Sequence, residues 1–456
     1  MKVINPATEE VIAELPADTA YSIGVKAEEA RDAQPAWSEL APDRKLEIVR
    51  RFGRLLEEQR PRLARTLTSE VGKPITQSEN ELKGMQGRID FFLESACSVL
   101  AEERKLDDPA QKLQEKIVHE PLGVIANISA WNYPYYVGSN VFLPALLTGN
   151  AVLYKPSELA SLTGLAIAGL LKDAGVPKGV FQTVVGDGGI GVELLRHPIQ
   201  GVFFTGSYAT GKKIAQSVTG RMIKVQMELG GKDPVYVCDD VDVQAAAEAV
   251  ADGAFYNTGQ SCCAVERIYV HEKIAAPFIE AFVATVKGFK AGDPLDPGTY
   301  IGPLARKEQL AVLERQAADA LQKGARLLCG GRRIDRKGCY FEPTVLAGVN
   351  HAMEVMREES FGPIIGIQAV SDDREAEFLM NDTLYGLTAG VYTKDRGRAE
   401  RILKGINAGT VYWNCCDRVS PRLPWSGRGH SGIGTTLSTY GIQAFLQPKA
   451  WHLRGI

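Results

Sequence analysis

Gly201-Val202-Phe203-Phe204-Thr205-Gly206-Ser207-Tyr208-Ala209-Thr210-Gly211-Lys212 is the stretch that decides the fold. A short apolar run ends at Thr205, Gly206 permits a turn, and Ser207 and Thr210 suit the first turn of a helix. Upstream, residues 121–129 (PLGVIANIS), 151–154 and 180–185 are apolar runs of the same kind, and downstream so is 224–229. Segments of helical period separate them, around 141–147 for example. Short continuous apolar strands alternating with helices predict a parallel sheet covered on both faces. Before this unit, residues 21–104 carry a helical pattern, with Leu46, Val49, Phe52 and Leu55 spaced three and four apart. After Gly230 the alternation restarts, with strands expected at 234–238, 267–270, 345–349, 364–370, 389–392 and 410–413 and helices near 245–255 and 274–289. Two doubly wound α/β units therefore meet near Gly230 and Gly231, a place for a ligand between domains. The tail from Thr436 to Leu453 is extended and suits a strand lent to another subunit.

The 456 residues suffice for two or three domains with their own cores, and no solenoid repeat appears. Hydrophobic residues make up 45% and charged residues 23%, and 52 Lys and Arg against 55 Asp and Glu leave a formal charge of −3. That balance offers no field for a nucleic acid or an anionic membrane. The longest apolar run, 165–171, is far short of a membrane span, and the N-terminus lacks the basic start and apolar core of a secretory signal. A cytoplasmic location is the expectation. The 8 cysteines form no C-x-x-C and include two adjacent pairs, Cys262/Cys263 and Cys415/Cys416. That is neither a disulfide framework nor a metal ligand set, and it leaves room for one chemical thiol.

Two runs match G-x-G-x-x-G: Gly186, Gly188, Gly191 and Gly427, Gly429, Gly432. Both read as turn glycines. About twenty residues after the first stands Gly206 instead of the acid that would hold a ribose, and the second follows no strand. The turn at 204–212 is the better anion site, since N–H groups at a helix start favour negative charge. Lys155 and Glu158, at the end of the preceding strand, could hold ribose hydroxyls or form a solvated strand end. Cys262 lies in Asn257-Thr258-Gly259-Gln260-Ser261-Cys262-Cys263-Ala264, a short polar loop that suits a nucleophile, although a lone cysteine is commonly a small buried hydrophobe. Glu228, before Leu229-Gly230-Gly231-Lys232, is a candidate general base or a salt-bridge partner.

Five motifs in order, Trp131-Asn132-Tyr133-Pro134, Phe204-Thr205-Gly206-Ser207, Glu228-Leu229-Gly230-Gly231-Lys232, Gly259-Gln260-Ser261-Cys262 and Glu359-Ser360-Phe361-Gly362-Pro363, resemble the NAD(P)-dependent aldehyde dehydrogenase superfamily. The likeness runs from Asn5-Pro6-Ala7-Thr8 to the tail. It implies a cofactor-binding domain (1–103 and 121–229), a catalytic domain (230–435) and oligomerisation strands (104–120 and 436–456). By similarity Cys262 is the nucleophile, Asn132 an oxyanion donor and Glu228 the base that hydrolyses the thioester. NAD would lie against Trp131, Lys155, Ser157, Glu158, Gly206, Ser207, Leu229, Glu359 and Phe361. A carboxylate at Glu158 favours NAD over NADP, though Lys155 and Ser157 could serve a phosphate.

The chain departs from the family at Val141, where many members carry a lysine, which puts a proton relay through that residue in doubt. Residues 414–425 (NCCDRVSPRLPW) hold Arg418 and Arg422 where the family's tunnel is capped. Arginines there would favour a carboxylated semialdehyde, whereas Tyr135, Tyr136, Tyr256 and Trp425 read either as an aromatic passage or as core. The expected partners are a small aldehyde and further copies of the chain in a homodimer or homotetramer. An acylating enzyme is a rival that Glu228 argues against, and a non-catalytic scaffold is one that Cys262, Asn132 and Glu228 together argue against.

Overall fold

The computed structural model describes residues 1–455. Four helices, Ala20–Glu39, Pro42–Glu58, Arg60–Val71 and Ile75–Leu100, precede the first long strands. The first large sheet then has the strand order Gly432–Ile433, Lys224–Glu228, Gly201–Thr205, Val124–Ile128, Ala151–Lys155 and Phe181–Thr183. Its five longer strands run parallel and Gly432–Ile433 is antiparallel. Successive side chains point to opposite faces. Ile125, Val152 and Phe203 accordingly pack into one core, while Val124, Ala126, Ala151, Leu153 and Val202 pack into another. Both faces being covered is why these strands read as unbroken apolar runs.

A second sheet of 7 strands is ordered Arg326–Cys329, Thr344–Ala347, Ile364–Val370, Val265–His271, Asp233–Val237, Thr388–Tyr392 and Thr410–Trp413. Only Arg326–Cys329 is antiparallel in it. That strand, and the hairpin of Lys2–Ile4 with Val11–Glu14, have no clear counterpart in the sequence reading. Arg326–Cys329 lies at a sheet edge and is mostly exposed or half-buried, so no apolar run marks it.

The tail divides into two parts. Leu446–Arg454 pairs antiparallel with the chain's own Leu113–Pro121 over its full length, from Leu446 opposite Pro121 to Arg454 opposite Leu113, with Glu103–Asp108 on the far side. Residues 436–445 form no oligomerisation strand: Leu437, Ile442 and Phe445 are buried in the core of the first sheet. Just before it, Gly432 and Ile433 pair with Glu228 and Met227 at the edge of the first sheet. Among the described residues no helix is long and apolar enough to cross a membrane.

In the first sheet the strand order reverses between Val124–Ile128 and Gly201–Thr205, which opens a crevice at their carboxyl ends. The segments just before Asp233–Val237, Val265–His271 and Ile364–Val370 bring the amino ends of the second sheet to the same place.

Candidate active site

The crevice is a cleft of about 680 Å³ bordered by Trp131, Asn132, Gly206, Glu228, Cys262 and Glu359, with Lys155, Ser157, Glu158, Ser207, Leu229 and Phe361 along it. On its first-sheet side the helix Tyr208–Val218 starts at Ser207, whose Oγ accepts the Thr210 N–H at 3.3 Å. The other first-turn N–H groups have no helical partner and are available to an anion. Gly206 is required by packing: a Cβ there would lie 2.4 Å from Cζ of Phe204. Lys155 closes its strand with the side chain buried and Nζ 3.3 Å from the Pro156 carbonyl. Burial lowers its pKa. Glu158 is exposed beside it.

The first glycine run does border the cleft, through Gly188 and Gly191. Two of its helix-start N–H groups are already taken within the chain: Asp187 Oδ1 accepts those of Gly189 and Ile190 at 2.9 and 3.3 Å. Of the second run, Gly432 lies opposite Glu228, and a Cβ on it would come 2.0 Å from the Met227 carbonyl.

Across the cleft, Glu359 Oε1 accepts the Gly231 N–H at 3.1 Å. Burial, with Glu266 nearby, pushes its carboxyl up to about 7. Phe361, in a left-handed conformation at φ 46°, packs edge-on against Trp131 with ring centroids 5.6 Å apart. A buried ion pair that sequence reading missed fixes this segment. Lys232 Nζ lies 2.5 Å from Glu266 Oε2 and donates to Ser360 Oγ at 3.1 Å, while Glu266 Oε1 accepts the Phe361 N–H at 3.0 Å.

The Cys262 loop is strained and tied at both flanks. Asn257, Thr258 and Gly259 have φ of 53°, 59° and 69°, a run of left-handed residues that is stable only when its surroundings dictate it. Asn257 Nδ2 donates to the carbonyls of Asn132 and Gln260 at 3.2 and 3.0 Å. Asn132 Nδ2 donates to the Gln260 carbonyl at 3.1 Å. Ser261 Oγ and Cys263 Sγ both donate to Asp417 Oδ1, at 3.1 and 3.0 Å. Cys262 is left partly exposed at the cleft, whereas Cys263 is buried. The neighbouring Cys262 thiol and burial hold the Cys263 thiol well above its ordinary pKa.

Glu228 ends its strand buried, with Oε1 accepting from Thr436 Oγ1 at 3.1 Å and Oε2 without a protein partner. Desolvation pushes its carboxyl up to about 8. A reachable cysteine, an amide donor and a carboxyl of raised pKa thus share one cleft with an anion-binding helix start. Residues 1–451 match the model of the aldehyde dehydrogenase family. The chain belongs to the aldehyde dehydrogenase family.

An aminoaldehyde dehydrogenase of Malus domestica is 35% identical over 98% of this chain and 91% of its own length. The betaine aldehyde dehydrogenase of Staphylococcus aureus, solved with NAD+, superposes with a TM-score of 0.95 at 32% identity, covering 100% of this chain and 92% of that one. An E. coli structure described as an NADP dependent enzyme gives a TM-score of 0.96 at 33% identity, covering 99% of this chain and 94% of that one.

Within this aldehyde dehydrogenase the aromatic residues and arginines expected around a substrate passage take different places. Tyr135 is fully buried core, its hydroxyl unpartnered. Trp425 is buried beside Glu228, where its indole bears on the carboxylate. Arg418 and Arg422 are exposed, and Arg418 Nη1 reaches only the carbonyl of Asp417, at 3.4 Å. Tyr136 and Tyr256 are half-buried and meet through Asn80, which donates to Tyr256 Oη at 3.2 Å and accepts from Tyr136 Oη at 3.4 Å. Tyr136 stacks on Tyr133 at 5.9 Å, with the Arg88 guanidinium 3.6 Å from its ring centroid. Val141 is buried in the first core. Asp417 and Thr436 escaped sequence reading, since a single Asp or Thr in a loop carries no pattern. The one local signal was Asp417's place beside the second cysteine pair.

Proposed function

We propose that the enzyme oxidises a small aldehyde to the carboxylic acid with NAD, using Cys262 as nucleophile, Asn132 as oxyanion donor and Glu228 as general base. The observation that carries this is the single cleft bordered by all three together with Lys155, Gly206 and Glu359. The Cys262 sulfur bonds to the carbonyl carbon as the C=O π pair moves onto oxygen. The Asn132 amide and the Cys262 backbone N–H stabilise that oxygen, and one such donor is worth ~3 kcal/mol or more. When bound, the nicotinamide cofactor supplies a hydride acceptor, which leaves a thioester on Cys262. Glu228 takes a proton from the water that attacks the thioester; the C–S bond breaks and the acid departs.

Several residues fit the cofactor: the helix start at Ser207 suits a pyrophosphate, and a carboxylate at Glu158 accepts free ribose hydroxyls and repels a 2′-phosphate. For the aldehyde we favour an ω-amino or ammonium group over a carboxylate. The curated relatives are aminoaldehyde and betaine aldehyde dehydrogenases. Asp417 lies next to the Cys262 loop as a carboxylate suited to a cationic end of the substrate, while Arg418 and Arg422 are exposed. We also propose a homodimer or homotetramer, since Glu103–Asp108 and Leu446–Arg454 each leave an open sheet edge. NADH formation across 4-aminobutanal, betaine aldehyde, butanal and succinic semialdehyde, with Cys262→Ser as control, tests the reading. No turnover with any of them, or the highest kcat/KM with succinic semialdehyde, would overturn the reaction or the substrate class respectively.

A further inference from the structure

We infer that Thr436 is the positioning residue for the general base: its hydroxyl holds the Glu228 carboxylate at the cleft. The inference rests on the reading of Glu228 as base, and it answers the question that Val141 raises. Val141 is buried and apolar, so no cation from that position bears on the base.

The observations converge on Thr436. Its Oγ1 donates to Glu228 Oε1 at 3.1 Å, and Oε2 has no protein partner. The hydroxyl is itself well placed, because Thr436 and Trp425 exchange both backbone hydrogen bonds at 2.8 Å, which fixes the segment beside the end of the Glu228 strand. Thr436 is 1% exposed, so water cannot substitute for its hydroxyl from bulk. Behind it the chain turns into the short helix Ser438–Gln443, with Gly441 so close to Thr436 that a Cβ there would lie 2.7 Å from the Thr436 carbonyl carbon.

The groups around Glu228 leave little else to do this work. Its polar neighbours, Thr436, Gln226 and Trp425, are all uncharged, and Thr436 contributes most. Its sheet partners are Thr205 and Gly432. The charged and titratable groups bordering the same cleft are Lys155, Glu158, Lys213, Cys262, Arg306 and Glu359, and none of them is a cause of the shift at Glu228. A donor to the ionised form lowers a carboxyl pKa, whereas burial raises it. Removing the hydroxyl leaves burial unopposed by its largest counterweight, so the base is protonated over a wider pH range.

The test compares wild type with Thr436→Val, Thr436→Ala and Thr436→Ser by rapid mixing with NAD and aldehyde from pH 6 to pH 10. The burst of NADH reports attack and hydride loss, and the following steady rate reports thioester hydrolysis. The expected result is a burst of wild-type amplitude in Thr436→Val, with the pKa of the steady phase raised by about one unit and its rate below that pKa reduced about tenfold. Thr436→Ser should restore both. Thr436→Ala, which removes the hydroxyl without refilling the space, should reproduce the shift if the valine variant fails to fold. A steady-phase pKa unmoved in the valine and alanine variants, or a shift the serine variant does not reverse, overturns the role of Thr436. Turnover by Glu228→Gln at the wild-type rate would instead overturn the base assignment beneath it.

Discussion

Replacing Glu228 with Gln separates the two halves of the reaction. Glutamine keeps the volume and an oxygen for the Thr436 hydroxyl, but it cannot take a proton. With the wild-type carboxyl pushed up to about 8, about one tenth of Glu228 is ionised at pH 7 and about nine tenths at pH 9. Hydrolysis-limited turnover of the wild type should therefore rise roughly ninefold across that range. In the variant the first turnover should survive and later ones should slow by about 10²- to 10³-fold, since that is what a general base contributes. Stopped-flow absorbance should show a burst of one NADH per active cysteine and then a slow phase that no longer rises with pH. The same carboxyl has a stability consequence. Its folded-state pKa of about 8 lies above the ordinary 4.5, so the stability it contributes is complete below about pH 4.5 and lost as pH rises through about 8. Glu228→Gln should thus gain on wild type in unfolding free energy across that window, by roughly 3 to 5 kcal/mol at the alkaline end. A trace slow from the start, or wild-type turnover flat between pH 7 and pH 9, would refute this account of Glu228.

Cys262→Ser should abolish oxidation while Cys263→Ala keeps most of it, and equal losses would reassign the nucleophile. Lys232→Met leaves Glu266 charged and buried without its 2.5 Å partner; it should cost about 3 to 5 kcal/mol in denaturant titration and weaken NAD binding through the displaced Phe361 segment. Glu158→Ser should narrow the preference for NAD over NADP, read as the ratio of the two kcat/KM values, and an unchanged ratio would remove Glu158 from cofactor choice. Asp417→Asn should lower the ratio of kcat/KM for 4-aminobutanal to that for butanal by at least tenfold, about 1.4 kcal/mol.

The sequence made the two sheets legible because their central strands are buried on both faces and must be apolar throughout. Nothing comparable marks Arg326–Cys329 or the outer strand Glu103–Asp108, whose mixed polar residues follow from lying at an edge. Cys262, Asn132 and Glu228 could be picked out because each sits in a short motif at a strand or helix end. The substrate side misled for a different reason. Arg418 and Arg422 are conspicuous in the sequence, yet a loop's side-chain directions follow from contacts far along the chain, and here Asp417 turns inward while its neighbour Arg418 stays exposed. Asp417 has φ 48° and Asn414 φ 54°, backbone choices no local pattern announces. Of the two readings open for the tyrosines, Tyr135 takes the core one, while Tyr133 and Tyr136 stack on each other.

Two carboxyls border the cleft, Glu228 buried and Glu359 half-buried, and their surroundings differ. Glu359 and Glu228 are both raised by burial, to about 7 and about 8. Glu359 already gives one oxygen to the Gly231 N–H, and Glu266 and Lys232 hold the segment that carries it. Anchored through one oxygen on a segment pinned by the Lys232–Glu266 pair, it suits a group that accepts a hydrogen bond from a ribose hydroxyl. Glu228 has only uncharged neighbours and one oxygen without a partner. A carboxylate so placed gains more by taking a proton than by accepting another hydrogen bond, and its free oxygen has somewhere to put one. On the proposed function, environment rather than residue type separates Glu228 as base from Glu359 as holder.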